Sequence, residues 1–199
     1  VLRLIEWYEM SLKCNICEEE SFIRVNFNID SCITTDLLFV EKKLYHLRCN
    51  NCGYIFIPEE LRLNVNDFYN NHYKFLLNSA DEEPVFVNET GSVKYSQVLV
   101  NILTKHISND GDTSLLDIGA GKGNFIKTFK NEFPLIRCWA LEPSQSYHEL
   151  KKIDFIEKTF NTFFDKKFCD TIKTKFDIIS LIGVLEHVEN PKEILILLK

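Results

Sequence analysis

Leu115-Leu116-Asp117-Ile118-Gly119-Ala120-Gly121-Lys122-Gly123-Asn124 is the stretch on which the fold turns. The 199-residue chain holds seven glycines, and three of them fall within positions 119–123. Glycine loses more backbone freedom on ordering than any other residue. Such a concentration therefore marks sharp turning, or close approach of another group to the main chain. A plain strand-to-helix turn needs one glycine rather than three. Apolar Leu115–Ile118 reads as a strand and Asn124–Glu132 as a helix, so the loop sits where a nucleotide-type loop is expected.

Working outward, the pattern keeps alternating. Strands are expected at Leu135–Leu141, Ile153–Ile156 and Phe176–Ile182, with a short helix over Ser144–Lys151 and an amphipathic stretch up to Lys173 between them. Apolar strands separated by helices imply a mostly parallel sheet covered on both faces, a doubly wound α/β fold. Upstream, Ser92 is expected to cap a helix over Val93–Ile107. Tyr95, Val98, Leu99, Ile102, Leu103 and His106 would share its buried side. Residues 109–112 read as a turn, 66–75 as partly helical, and Asp81-Glu82-Glu83-Pro84 as a surface linker.

Four of the seven cysteines form two pairs, Cys14-Asn15-Ile16-Cys17 and Cys49-Asn50-Asn51-Cys52, the second followed by Gly53. A CxxC turn aims two thiolates at one point, and two such turns complete a closed tetrahedral zinc site. Strand-like Phe22–Asn28, Leu37–Glu41 and Tyr45–Arg48 lie between the pairs and can fold back as hairpins. Four buried thiols or a redox pair are the alternatives; paired spacing around hairpin-like sequence favours zinc. Four protein ligands leave no open position, so the zinc would be structural. Cys32, Cys138 and Cys169 lack partner spacing and are expected as small buried residues.

Net charge is −6. Residues 1–110 carry 10 Lys+Arg against 16 Asp+Glu, and residues 111–199 carry 13 against 13, so the acidic excess is N-terminal. Nucleic-acid binding wants the opposite sign, which argues against RNA or DNA as the main partner. The longest apolar runs fall far short of the ~18–20 residues that span a bilayer, and the first ten residues lack a signal-peptide core. A cytoplasmic location is expected.

The loop spacing is G-x-G-x-G rather than the G-x-G-x-x-G of dinucleotide folds, and Asp117 beside it would repel a pyrophosphate. With Asp117 closing the strand, the segment resembles the first motif of class I S-adenosylmethionine-dependent methyltransferases, which have a Rossmann-like sheet. That resemblance implies that Asp117, Gly119, Ala120, Gly121 and Gly123 border the cofactor. Glu142, after the next strand, would hold its ribose hydroxyls. Phe176–Pro191 looks like the fourth-strand motif of the same superfamily, in its branch of ubiquinone-biosynthesis and sugar-modifying enzymes. It implies Ile182 and Gly183 beside the cofactor, and Phe160 and Asn161 near the adenine.

For Glu186 and His187 two readings stay open. They are either the catalytic pair, removing a proton from the acceptor, or residues that cap or brace the following helix. Some relatives bind a metal through Glu-x-x-Glu-His here, but Gly183 replaces the first Glu. The cysteine module extends the resemblance to methyltransferases with an N-terminal cysteine module, including nucleotide-sugar C-methyltransferases. The expected function is methyl transfer to a small metabolite, such as a sugar or nucleotide-sugar. RNA methylation with the ribbon as reader, and a non-catalytic cofactor-binding module, are the alternatives.

Three parts are expected: a zinc ribbon over 10–60, a helical linker or cap over 61–110, and the cofactor-binding domain over 111–199. Only four of the seven strands of such a sheet can be assigned, and Phe176–Ile182 would be left at an edge although it reads as a central strand. The chain is therefore expected to be a fragment of a longer protein, with Met10 a candidate true start.

Overall fold

The computed structural model describes residues 12–29, 31–33, 39–41, 44–62, 83–89, 91–109 and 111–199. The helix expected over 66–75 lies outside these, as do Asp81 and Glu82 of the expected linker. Five short strands come first: β1 (Phe22–Ile29), β2 (Cys32–Ile33), β3 (Phe39–Val40), β4 (Leu44–Cys49) and β5 (Ile55–Phe56). They pair antiparallel, in a three-stranded sheet of order β1-β4-β5 and a separate β2–β3 ladder. Phe22 stands opposite Cys49, so the strands that carry the two cysteine turns are in register.

The hairpin β6 (Val85–Asn88) and β7 (Gly91–Lys94) leads directly into α1 (Tyr95–Leu103). This corrects the expected helix over Val93–Ile107. Ser92 and Val93 pair with Val87 and Phe86 in the hairpin, so Ser92 is not a cap. The helix start is held instead by Glu83, whose carboxylate accepts from the Ser96 backbone N–H at 2.9 Å and the Ser96 hydroxyl at 2.8 Å. Glu83 is accordingly no surface linker residue, its side chain being only 7% exposed. The buried face of α1 is Ser96 and Val100, flanked by Leu99 and Leu103, whereas Ile102 faces outward.

From here the alternation follows the sequence: β8 (Ser114–Ile118), α2 (Asn124–Glu132), β9 (Arg137–Leu141), α3 (Tyr147–Leu150), β10 (Ile156–Phe160), α4 (Lys166–Thr171), β11 (Ile178–Ser180) and α5 (Pro191–Leu197). All four strands run parallel in the order β10-β9-β8-β11, the expected doubly wound arrangement, with β11 at an edge. The third strand lies later than expected. Ile153 closes the turn after α3 through an N–H bond to Leu150 O, and the ladder with β9 begins only at Ile156.

Because successive side chains leave a strand on opposite faces, Leu115 and Leu116 feed two cores. On one face Leu115, Cys138 and Ala140 meet Val100 of α1 and Phe125, Ile126 and Phe129 of α2. On the other, Leu116, Ile118, Trp139 and Leu141 meet Phe168 of α4. Cys138 is buried as expected and Cys169 half-buried, while the side chain of Cys32 lies outside the described ones. Among the described residues no helix is long and apolar enough to cross a membrane.

Phe129 has no exposed surface and packs between Phe125 and Phe133, with tilted rings at centroid distances of 5.7 and 4.8 Å. Phe129→Ala should cost about 3–5 kcal/mol in urea unfolding. Leu135→Ala, at a position 58% exposed although it was expected in a strand, should change stability by less than about 0.5 kcal/mol.

Candidate active site

Parallel pairing sets Ile118 against Leu141, so β8 and β9 end side by side and deliver Asp117 and Glu142 to one corner. Gly119 and Ala120 donate their N–H groups to Leu141 O at 2.8 and 3.0 Å, which folds the glycine loop back over the end of β9. Gly119, Gly121 and Gly123 have φ of 72°, 56° and 83°, in the left-handed region that favours glycine. A Cβ on Gly119 would stand 2.5 Å from Val184 Cγ2, so the loop passes tightly under the segment that follows β11.

Glu142 is 6% exposed and clasps the loop from below. Its Oε2 accepts the Gly121 N–H at 2.8 Å and its Oε1 the Ser144 N–H at 2.7 Å. Asp117 is 2% exposed, and its Oδ1 accepts the Ser180 hydroxyl at 2.6 Å. Burial pushes the Asp117 carboxyl up to about 7; the Ser180 hydrogen bond works the other way, and the Glu142 charge adds to the rise. This buried acid would hold its negative charge readily only beside a cation.

Above the loop opens a cavity of about 830 Å³, within the range that takes a nucleoside-sized ligand. Asp117, Gly119, Ala120, Gly121, Glu142, Ile182, Gly183, Glu186 and His187 all line it. Three other expected residues stand off its wall. Gly123 is buried behind the loop, where a Cβ would meet Ile153 Cδ1 at 2.4 Å. Phe160 packs into the core against Trp139 and Phe168. Asn161 Nδ2 donates to Glu142 O and Pro143 O at 2.9 and 3.2 Å, so it braces the Glu142 loop rather than the cavity. The aromatic wall consists instead of Phe163 and Phe164, a few residues on, with Tyr95 of α1. The adjacent Phe pair was the available sequence signal.

Glu186 and His187 lie in a 3-10 turn, Leu185–His187, and both are exposed toward the cavity. Neither caps the next helix. That role belongs to Asn190, whose Oδ1 accepts the Glu193 N–H. Glu189 and Glu193 line the cavity as well, a contribution the sequence reading missed because no motif singles them out.

The four paired cysteines converge. Their sulfurs lie within 4.8 Å of one another, with Cys14–Cys52 at 3.6 Å and Cys17–Cys49 at 3.5 Å. A tetrahedron with Zn–S bonds of about 2.3 Å has edges near 3.8 Å, so the cluster fits a zinc site and is too open for disulfides. The two turns are built alike. Glu18 N–H bonds to Cys14 O and Gly53 N–H to Cys49 O, and both residues have positive φ, 65° and 77°. Glu18 takes this conformation without being glycine. Its carboxylate pairs with Lys192 at 3.1 Å, and Asn15 Nδ2 donates to Glu189 O at 2.9 Å. The first cysteine turn is thus fastened to the segment that lines the cavity.

Residues 88–198, more than half of the chain, match a methyltransferase-domain family. The chain belongs to that family. The histone-lysine N-methyltransferase, H3 lysine-79 specific, of Drosophila melanogaster is 28% identical over 109 residues, covering 54% of this chain and 6% of the relative. Among solved structures, the plantazolicin methyltransferase BpumL in complex with SAH is 22% identical at a TM-score of 0.38, over 52% of this chain and 39% of its own. Coclaurine N-methyltransferase bound to N-methylheliamine and SAH is 13% identical at a TM-score of 0.37, over 59% and 34%. The chain thus spans well under half the length of each relative.

The Asp117 environment makes a testable claim about stability. A carboxyl at about 7 in the fold against an ordinary 3.8 favours the protonated folded form, so its stabilising contribution is full below about pH 4 and lost as pH rises to about 7. Asp117→Asn keeps the acceptor for Ser180 and removes the titration. Urea unfolding should show the variant gaining on the parent between pH 4.5 and 8, by at most about 4 kcal/mol, with a constant difference above pH 8.

Proposed function

We propose that the chain is the cofactor-binding part of an S-adenosylmethionine-dependent methyltransferase acting on a small acceptor in the cytoplasm. The observation that carries this reading is the joint placement of Asp117, the glycine loop and Glu142 on one cavity wall. When bound, S-adenosylmethionine supplies a methyl carbon made electrophilic by a sulfonium.

The chain's own groups suit that ligand. Gly119, Ala120 and Gly121 present bare main chain to its amino-acid portion, and Asp117 offers a buried negative charge to its cationic end. Glu142, already aimed by two N–H groups, accepts from the ribose hydroxyls. Ile182 and Gly183 border the reacting centre, and Phe163 and Phe164 offer flat apolar faces to the base. An acceptor N–H or O–H loses its proton to Glu186 or His187, a role their place on the cavity wall supports. Positioning does most of the remaining work, because the leaving group is already good. A pyrophosphate would meet two buried carboxylates, which weighs against a dinucleotide cofactor.

The cysteine cluster is read as a structural zinc site that holds its turn against residues 189–192. Cysteines held as metal ligands rather than as disulfides agree with a reducing compartment, which supports the cytoplasmic location. The resemblance of the cysteine module points to a sugar or nucleotide-sugar acceptor, and the exposed Glu186, Glu189 and Glu193 on the cavity wall weigh against its anionic members. RNA methylation is disfavoured by the acidic N-terminal half.

Calorimetry should show S-adenosylmethionine binding and no comparable binding of NAD; binding of NAD alone would overturn the reading. Glu142→Ala should weaken cofactor binding at least tenfold. His187→Ala should lower kcat at least tenfold while leaving cofactor affinity within about twofold, and unchanged turnover would make it structural. Metal analysis should give one zinc per chain, lost in Cys49→Ser; a folded metal-free protein would refute the zinc assignment.

A further inference from the structure

We infer that the acceptor side of the cavity takes an organic cation, an amine carried as its ammonium, rather than an anionic conjugate such as a nucleotide-sugar; this rests on the methyl-transfer reading above. Three exposed carboxylates, Glu186, Glu189 and Glu193, line the cavity within eight residues of chain. Among the described residues no hydrogen bond or ion pair engages any of them. The one lysine within that stretch, Lys192, spends its ammonium on Glu18 at 3.1 Å. Two further acidic residues on the wall are already committed, Glu83 to the start of α1 and Asp165 to the Phe168 N–H of α4.

The described wall has a single lysine, Lys122, in the glycine loop. A phosphate or carboxylate on the acceptor would therefore face three unpartnered negative charges. An ammonium would neutralise part of them.

A bare metal ion does not answer the same need. Among the described residues the only His, Cys, Asp and Glu side chains that converge tightly enough to share an ion are the four cysteines. The glutamates are spread along a wall, which suits a ligand with a body. Tyr95 of α1, on the same cavity and not assigned to the cofactor, supplies an aromatic face for that body, and such faces attract cations. The arrangement also serves the chemistry. A bound ammonium passes one proton to the Glu186 carboxylate or the His187 imidazole and so frees the nitrogen lone pair.

The test uses the full chain saturated with S-adenosylhomocysteine and three probes of one shape: 2-phenylethylamine, 2-phenylethanol and 3-phenylpropionate. The ammonium probe should bind at least tenfold more tightly than either of the others. That preference should shrink at high salt and fall to within twofold in the double variant Glu189→Gln/Glu193→Gln. Equal affinities, a preference for the carboxylate, failure of the ammonium to bind, or a preference untouched by the double variant each overturn the inference. S-adenosylhomocysteine binding, measured first in the same cell, separates the two levels. Its failure refutes the cofactor reading, whereas its success with no ammonium preference refutes only the acceptor class.

Discussion

Two carboxyl groups brought into one buried corner are the constraint on which the rest of the structure depends. Pairing of β8 with β9 sets Ile118 beside Leu141, and the next turns place Asp117 and Glu142 within each other's field. Each carboxylate is almost fully buried, and each is held by hydrogen bonds from the chain rather than by a lysine or arginine. A fold keeps such an arrangement at a cost in stability. The cost makes sense where a cationic ligand completes the corner.

The surrounding elements follow from that corner. The glycine loop needs left-handed backbone because it must turn over the end of β9, satisfy its N–H groups on Leu141 O and Glu142, and still border the cavity. Two aromatic-rich cores, one on each face of the sheet, hold β8 and β9 rigid enough to define the carboxylate positions. At the far side, the first cysteine turn grips residues 189–192 through Asn15 and Glu18. Two surface contacts between residues 174 apart in sequence thus join the first cysteine turn to that part of the cavity wall.

Legibility in the sequence tracked how local the determining physics is. The glycine loop, the helix over Asn124–Glu132 and the four parallel strands were readable because glycine spacing and apolar periodicity are local signals. Both CxxC turns were readable for the same reason. The start of α1 was not, since its cap is Glu83, thirteen residues before Ser96 and joined to it only through the β6–β7 hairpin. The third strand was set too early because Ile153 is apolar for the sake of the loop packing under Gly123, not for a ladder. Phe160 is a similar case: it closes a strand, and pleat alternation turns it into the core while Phe163 and Phe164 reach the cavity. The glutamates of the acceptor wall carry no motif, so only the folded arrangement brings them together.

The central claim is that the corner formed by Asp117 and Glu142 awaits a positive charge. Titration of the Asp117 carboxyl carbon by NMR, in the free protein and with saturating S-adenosylmethionine, addresses it most directly. The account predicts a midpoint near 7 in the free protein and a fall of at least one pH unit when the cofactor is bound. A midpoint near the ordinary carboxylate value in the free protein, or one that the cofactor leaves in place, would contradict it.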